Sequence, residues 1–155
     1  MTEEIVIESP PNPWDGSIEL GLNGSEGNAD VLNLRAGINA TRKVAAQTLT
    51  LNLSYRLNTD QNLVTANRLF FDGRNEWQLL PTPWTYYVHQ TTEYDEFRAF
   101  DVRITADTGM GYNFVQTDLT KLTGRAGAGV SHEIGGPDDS WVPELVLGGT
   151  FERKI

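Results

Sequence analysis

Residues 98–109 read RAFDVRITADTG, and apolar and polar side chains alternate along this stretch. The apolar set is Phe100, Val102, Ile104 and Ala106, and the set between them is Asp101, Arg103, Thr105 and Asp107. Successive side chains of a β-strand point to opposite sides of the sheet. The stretch therefore predicts a strand with one apolar face and one charged face.

The same alternation recurs along the whole chain and predicts about eight strands. They are expected at about 16–23, 31–41, 47–57, 63–79, 84–92, 98–109, 119–131 and 142–153. Short loops separate them and no helix-length crossover intervenes, which favours antiparallel neighbours. We predict an all-β fold, an antiparallel up-and-down meander that forms a closed or nearly closed barrel. In the fourth strand Phe70 falls on the charged side, and a β-bulge is one explanation.

Composition limits the class of protein further. The chain has 155 residues, which is one ordinary domain, and a formal net charge of -9, which argues against a nucleic-acid partner. It has no cysteine and no run of 18 apolar residues. Residues 1–13 contain three prolines and are expected to be an extended tail, with the barrel domain at 14–155. The N-terminal sequence lacks a signal peptide, so we expect either a cytosolic protein or a mature form.

Two kinds of barrel satisfy the alternation equally well. In a soluble, lipocalin-like barrel the apolar set points inward and binds a lipophilic ligand; here that set would include Leu49, Leu51, Leu53 and Val102. In an outer-membrane barrel the apolar set meets lipid and the charged set lines the lumen. The period of two does not distinguish them.

Three features favour the outer-membrane alternative. Strands of about 8–13 residues are long enough to cross a bilayer when tilted. Aromatic residues gather near predicted strand ends, as in the girdles of membrane barrels: Trp14, Tyr55, Trp77, Trp84, Tyr86, Trp141 and Phe151. The charged set mixes both signs and predicts a salt-bridged lumen, which side chains roughly fill at eight strands. The lumen candidates are Glu19, Arg35, Arg56, Arg68, Asp72, Asp101, Arg103, Asp107 and Arg125.

The charges of the predicted turns distinguish the two rims of the sheet. Turns one, three, five and seven, at about 24–30, 58–62, 90–97 and 132–141, carry acids and no Lys or Arg. Turns two, four and six, at about 41–47, 77–84 and 110–118, carry Arg42, Lys43 and the single acid Asp118. In a meander, odd and even turns lie on opposite rims, so one rim is expected to be acidic. It would face outward if both termini are periplasmic. The simpler explanation is that loops are acidic in an acidic protein.

Several segments resemble a known family. They are WDGSIELG at 14–21, SEGNAD at 25–30, EYDEF at 93–97 with Arg103 and GMGY at 109–112, and the spacing of Gly124, Gly127 and Gly129. Over about residues 14–155 the chain resembles a bacterial family of salt-induced outer-membrane proteins, a domain of unknown function. The resemblance implies an outer-membrane barrel in a diderm bacterium and supplies no catalytic residue or ligand. Members usually continue for several more strands, so a truncated copy, a fragment or an eight-stranded minimal version is expected.

No catalytic motif accompanies these features. His89 and His132 lie in different elements, no nucleophile elbow or phosphate loop occurs, and we expect no cofactor and no enzyme activity. An outer-membrane enzyme acting on lipids is the weakest alternative. The expected partner is membrane lipid or detergent. Weak Ca²⁺ candidates, which could also bridge to lipopolysaccharide, are Glu93, Asp95, Glu96, Asp138 and Asp139. Ordinary solvated loop charges explain these acids more simply.

Overall fold

The regular secondary structure in the computed structural model is entirely β-strand, and the structure describes residues 12–28 and 30–155. The strands are β1 (Trp14–Ser25), β2 (Val31–Val44), β3 (Gln47–Asp60), β4 (Leu63–Gln78), β5 (Trp84–Asp95), β6 (Val102–Gln116), β7 (Thr120–Ile134) and β8 (Trp141–Arg153). Most of the predicted proline-rich tail, residues 1–11, lies outside the described residues. No helix in the described part is long and apolar enough to cross a membrane.

The eight strands form one antiparallel sheet in chain order, β1 to β8. Each strand pairs with its neighbours in sequence, which confirms the predicted meander. β1 and β8 each pair on one side only, and they do not pair with each other. The sheet is therefore not closed, and the predicted barrel closure is not confirmed.

Tight turns between consecutive strands produce this order. Gln61 and Asn62 connect β3 to β4, and both have positive φ, at 49° and 63°. Two-residue turns with positive φ match the right-handed twist of paired strands. The β2–β3 turn is equally short, and there Ala45 has φ 39°. Because these connections are short, alternate turns lie on opposite rims as predicted.

The sixth strand differs from its prediction. It begins at Val102, and residues 96–101 form the preceding turn. Phe100, predicted to share a face with Val102, instead lies outside the strand, 4% exposed. The Arg103 guanidinium carbon lies 4.3 Å from the centroid of the Phe100 ring, a cation–π contact that alternation does not reveal. The longer turn also brings Arg98 to the acidic rim, where its Nε lies 3.6 Å from an Asp95 carboxylate oxygen.

Phe70 needs no local bulge. β4 pairs in continuous register from Arg68 onward, and the irregularity lies between Asn58 and Thr59 of β3, opposite Thr65. Phe70 shares a face with the charged residues, and the Arg68 guanidinium carbon lies 5.8 Å from its ring centroid. The predicted orientation of the strand is confirmed, while the bulge suggested at Phe70 was wrong.

The registers divide the sheet into two faces. The polar face carries Asp72, His89 and Asp107, and the apolar face carries Leu51 and Val102. Within the eight strands, the charged residues of the apolar face are Arg42 and Arg153, and both lie near strand ends at the even-turn rim. The faces assigned by alternation are thus reproduced.

The polar face is the enclosed one. Its residues Tyr87 and Asp107 are 1% and 8% exposed, whereas Leu145 and Leu147 of the apolar face are 77% and 73% exposed. Arg125 on β7 reaches Glu76 on β4 at 3.4 Å, across two intervening strands. Three strand spacings amount to about 14 Å, and side chains stand roughly perpendicular to a sheet. The sheet must therefore curve toward its polar face.

Candidate functional site: the enclosed polar face

His89 is bound between two carboxylates at the centre of the polar face. Its Nδ1 lies 2.8 Å from Oδ2 of Asp107 on β6, and its Nε2 lies 2.8 Å from Oδ2 of Asp72 on β4. A ring protonated on both nitrogens donates to both carboxylates. The histidine thus bridges three neighbouring strands, and it does so beside the largely buried Asp107.

A second cluster lies beside the histidine, toward the even-turn rim. The Tyr87 ring is covered by the Arg74 guanidinium, whose carbon lies 4.4 Å from the ring centroid. Glu76 accepts from both Arg74 and Arg125, at 3.4 Å each. Because Arg125 lies on β7 and Glu76 on β4, this cluster connects two strands that are not neighbours in the curved sheet.

Toward the odd-turn rim, two further ion pairs lie on the polar face. Arg103 donates from Nε to Glu133 at 3.0 Å and also from its terminal nitrogen. Arg68 contacts Glu93 at 3.0 Å. Both pairs are partly exposed, so each stabilises the fold only modestly.

The predicted lumen residues have different outcomes. Those with an ion contact on the polar face are Arg68, Asp72, Arg103, Asp107 and Arg125. Glu19, Arg35 and Arg56 lie on the same face without an ion pair in the described part of the chain. Asp101 does not belong to this face of the sheet, because it lies in the turn before β6.

Several members of the site are absent from the predicted lumen set, and Glu93 was predicted only as a weak Ca²⁺ candidate. The absent residues are Arg74, Glu76, Tyr87, His89, Glu93 and Glu133. Alternation does place His89 on the face of Tyr87. What it lacks is the pairing register, which sets His89 directly opposite Asp107 and Arg74. Sequence alone therefore does not show that carboxylates flank His89 from both neighbouring strands.

Each of the weak Ca²⁺ candidates has its own ion-pair or hydrogen-bond partner within the protein. Glu93 and Asp95 contact arginines, Glu96 accepts from Asn67 at 3.0 Å, and Asp139 lies 3.2 Å from His132 Nε2. Hydrogen bonds from the Ser140 hydroxyl and N–H hold the pKa of the Asp138 carboxyl below its usual value. Among the described residues, no group of three His, Asp or Glu side chains could hold a metal ion.

Aromatic residues form contacts on the apolar face. All four tryptophans lie there by register. At the even-turn rim the ring centroids of Trp84 and Tyr112 are 4.9 Å apart. At the odd-turn rim, Trp141 stacks on His132 at 4.4 Å. Six of the seven aromatic residues predicted near strand ends lie there in the structure. The exception is Tyr55, which lies in mid-strand because β3 extends to Asp60.

These features define a class: an antiparallel β-meander that curves around a charged face and exposes an apolar one. The chain belongs to the family described as "Protein of unknown function, DUF481", whose model matches residues 18–155. No curated protein and no solved structure matches the chain.

His89→Gln is expected to lower the free energy of unfolding by about 1–3 kcal/mol, because one amide group cannot serve both carboxylates and one is left without its donor. Equilibrium denaturation, in whichever solvent the wild type folds, measures this. Adding Asp107→Asn to His89→Gln should recover part of the loss. Asp139→Asn is the control, since this carboxylate contacts the other histidine, His132, but is 89% exposed, and its loss should leave stability unchanged. Equal stability of His89→Gln and wild type would contradict the bridging role.

Proposed function

We propose that the chain forms the wall of an outer-membrane β-barrel, with its apolar face on lipid hydrocarbon and its polar face lining the interior. Its role is structural or binding rather than enzymatic. The observation that carries the proposal is the pattern of exposure, which is the reverse of that in a soluble protein: charged residues are enclosed and leucines are exposed. A lipid bilayer is the solvent in which such a sheet is stable.

The cost of the apolar face in water supports this reading. Ile18, Leu20, Leu145 and Leu147 are each more than 70% exposed. Burying a side chain of this size is worth about 1.5–3 kcal/mol. Soluble monomers rarely expose contiguous apolar patches larger than a few hundred Å². An apolar face that spans all eight strands is expected to be covered by lipid.

The height of the apolar band also fits a bilayer. Trp141 and Phe151 lie near the two ends of β8 on the apolar face, with Leu145 and Leu147 between them. Ten residues of strand extend about 34 Å, which becomes about 24–28 Å at the 35–45° tilt of membrane barrels. The lipid-facing band of such barrels is about 25 Å tall.

The alternative, a soluble barrel with a lipophilic ligand, needs the opposite curvature. Leu49, Leu51, Leu53 and Val102 would have to line the concave side. They lie on the face opposite His89, which reduces support for this alternative. The acidic rim lends little support to a divalent-cation bridge to lipopolysaccharide, because its carboxylates are held by separate partners.

The two sheet edges impose a further requirement. In hydrocarbon, unpaired N–H and C=O groups each cost several kcal/mol. The outer edges of β1 and β8 carry such groups. The proposal therefore requires that both edges be paired in a completed barrel in the membrane.

Tryptophan quenching tests the proposal directly. The full chain is refolded into phosphatidylcholine vesicles that carry bromine on the acyl chains. We expect strong quenching by lipids brominated near the headgroup, weaker quenching by deeply brominated ones, and little by aqueous iodide. The protein in urea with the same vesicles is the control and should lose lipid quenching. A monodisperse, folded protein in plain buffer whose tryptophans respond to iodide alone would refute the membrane location.

A further inference from the structure

Three arginines stand side by side on the polar face. Arg35 of β2 is directly opposite Arg56 of β3, which is directly opposite Arg68 of β4. Neighbouring strands lie about 4.8 Å apart, and like charges directly opposite each other destabilise a sheet. The row thus concentrates positive charge in a protein whose net charge is -9.

Carboxylates offset the charge of this row only at its Arg68 end. Glu93 contacts Arg68 alone, at 3.0 Å. Arg35 and Arg56 form no ion pair within residues 12–28 and 30–155. Asp95 stands directly opposite Arg68 at the end of the row, and its ion contact is with Arg98, at 3.6 Å. Glu19 lies in the adjacent row, opposite Gly37, without an ion contact. Two guanidinium groups therefore remain available.

The row borders an open cleft of about 510 Å³. Its polar lining includes Arg35, Arg56 and Arg68, together with Ser54 and Glu19. Small-molecule sites commonly have volumes of about 300–1,000 Å³. Phe70 also lines the cleft, and its contact with Arg68 restrains that guanidinium. The cleft has the size and the donors to hold a small anion.

We propose that this cleft binds a phosphate-type oxyanion, either inorganic phosphate or a soluble phosphomonoester. Guanidinium groups bind phosphate through two parallel N–H donors each. Arg35 and Arg56 supply these donors, and the Ser54 hydroxyl is a further donor. Arg68 also lines the cleft, with its charge offset by Glu93. The cleft opens on the polar face, whereas acyl chains would lie on the other face, so the anion is soluble. The arginine cleft goes beyond the proposed membrane role, and only the choice of a soluble anion over a lipid headgroup rests on that proposed function.

Calorimetric titration of the full-length folded protein with inorganic phosphate, at low ionic strength, tests the site. Sodium chloride of equal ionic strength is the reference titration. Arg35→Gln and Arg56→Gln should each weaken binding at least about tenfold, since a hydrogen bond to a charged group is lost. Glu19→Gln should tighten binding, because it removes a neighbouring negative charge. Arg42→Gln is the matched control on β2: it removes the same charge from the apolar face and should leave affinity unchanged.

The stability of Arg56→Gln and the binding of other phosphate compounds distinguish the remaining outcomes. Arg56→Gln should keep or raise the free energy of unfolding, because it relieves repulsion within the row; a large loss would indicate a structural arginine and contradict the proposal. Binding of glycerol 3-phosphate with similar affinity supports a phosphomonoester. The proposal is overturned by no phosphate binding, by equal weakening in Arg42→Gln, or by binding of phosphatidic acid in mixed micelles without binding of inorganic phosphate.

Discussion

Ala128→Arg is expected to lower the free energy of unfolding in phosphatidylcholine vesicles by about 2–4 kcal/mol. Ala128 lies on the apolar face of β7, opposite Leu145, midway between the aromatic ends of β8. That position corresponds to the bilayer midplane of the proposed barrel. An arginine at the midplane of the lipid face costs this amount, and the cost falls to about 0–1 kcal/mol near the interface.

Leu122→Arg provides the matched control for depth. It lies on the same strand and face, six residues away, opposite Phe151 near the end of β8. Its charge sits at the interface, so the loss should be clearly smaller. Urea unfolding in vesicles measures both variants. Equal losses would point to a protein core rather than a depth-dependent lipid contact. Two near-zero losses would indicate that water covers this face.

Gly127→Ala and Gly109→Ala are expected to destabilise the fold by about 1–3 kcal/mol each, as overpacking does. A Cβ on Gly127 would lie 2.5 Å from both the Thr108 carbonyl oxygen and the Tyr87 hydroxyl oxygen. A Cβ on Gly109 would overlap the Ala126 carbonyl oxygen and lie 2.9 Å from the Tyr87 hydroxyl oxygen. The absent side chains leave room for the Tyr87 ring over β6 and β7.

Gly148→Ala serves as the control because its Cβ would meet nothing within 4 Å. This change on β8, next to β7, should alter stability by less than about 0.5 kcal/mol. Combining Tyr87→Phe with Gly127→Ala should recover part of the loss by removing the hydroxyl. If Gly127→Ala and Gly148→Ala prove equally stable, the close approach of Tyr87 to Gly127 does not limit the stability of the fold.

Alternation predicted the strands well because it reflects a local rule. Side-chain direction in a strand depends only on the parity of the residue, so Leu145 and Glu144 separate onto two faces without any knowledge of their neighbours. The same rule failed for Phe100, where a tertiary contact with Arg103 replaced strand pairing. Alternation did place Phe70 among charged residues, but it did not show what accommodates the ring there, which is the contact with the Arg68 guanidinium.

The site was only partly predictable, because ion pairing depends on register. Asp72 and Asp107 were expected on one face, but the histidine between them follows from which residues stand opposite each other. The unpaired state of Arg35 and Arg56 has the same origin. In sequence they look like members of a balanced charge network. In the sheet they face each other rather than acids.

The sequence by itself determined the strand order, the two faces and the acidic rim, because each depends on parity and on short connections. Only the tertiary structure decided which face is enclosed, since curvature arises from contacts between distant strands. Arg125 meets Glu76 from three strands away, and Tyr87 lies close over Gly109 and Gly127. These contacts draw the polar face inward and leave the leucines exposed. The tertiary structure also left the outer edges of β1 and β8 unpaired, which no periodicity could predict.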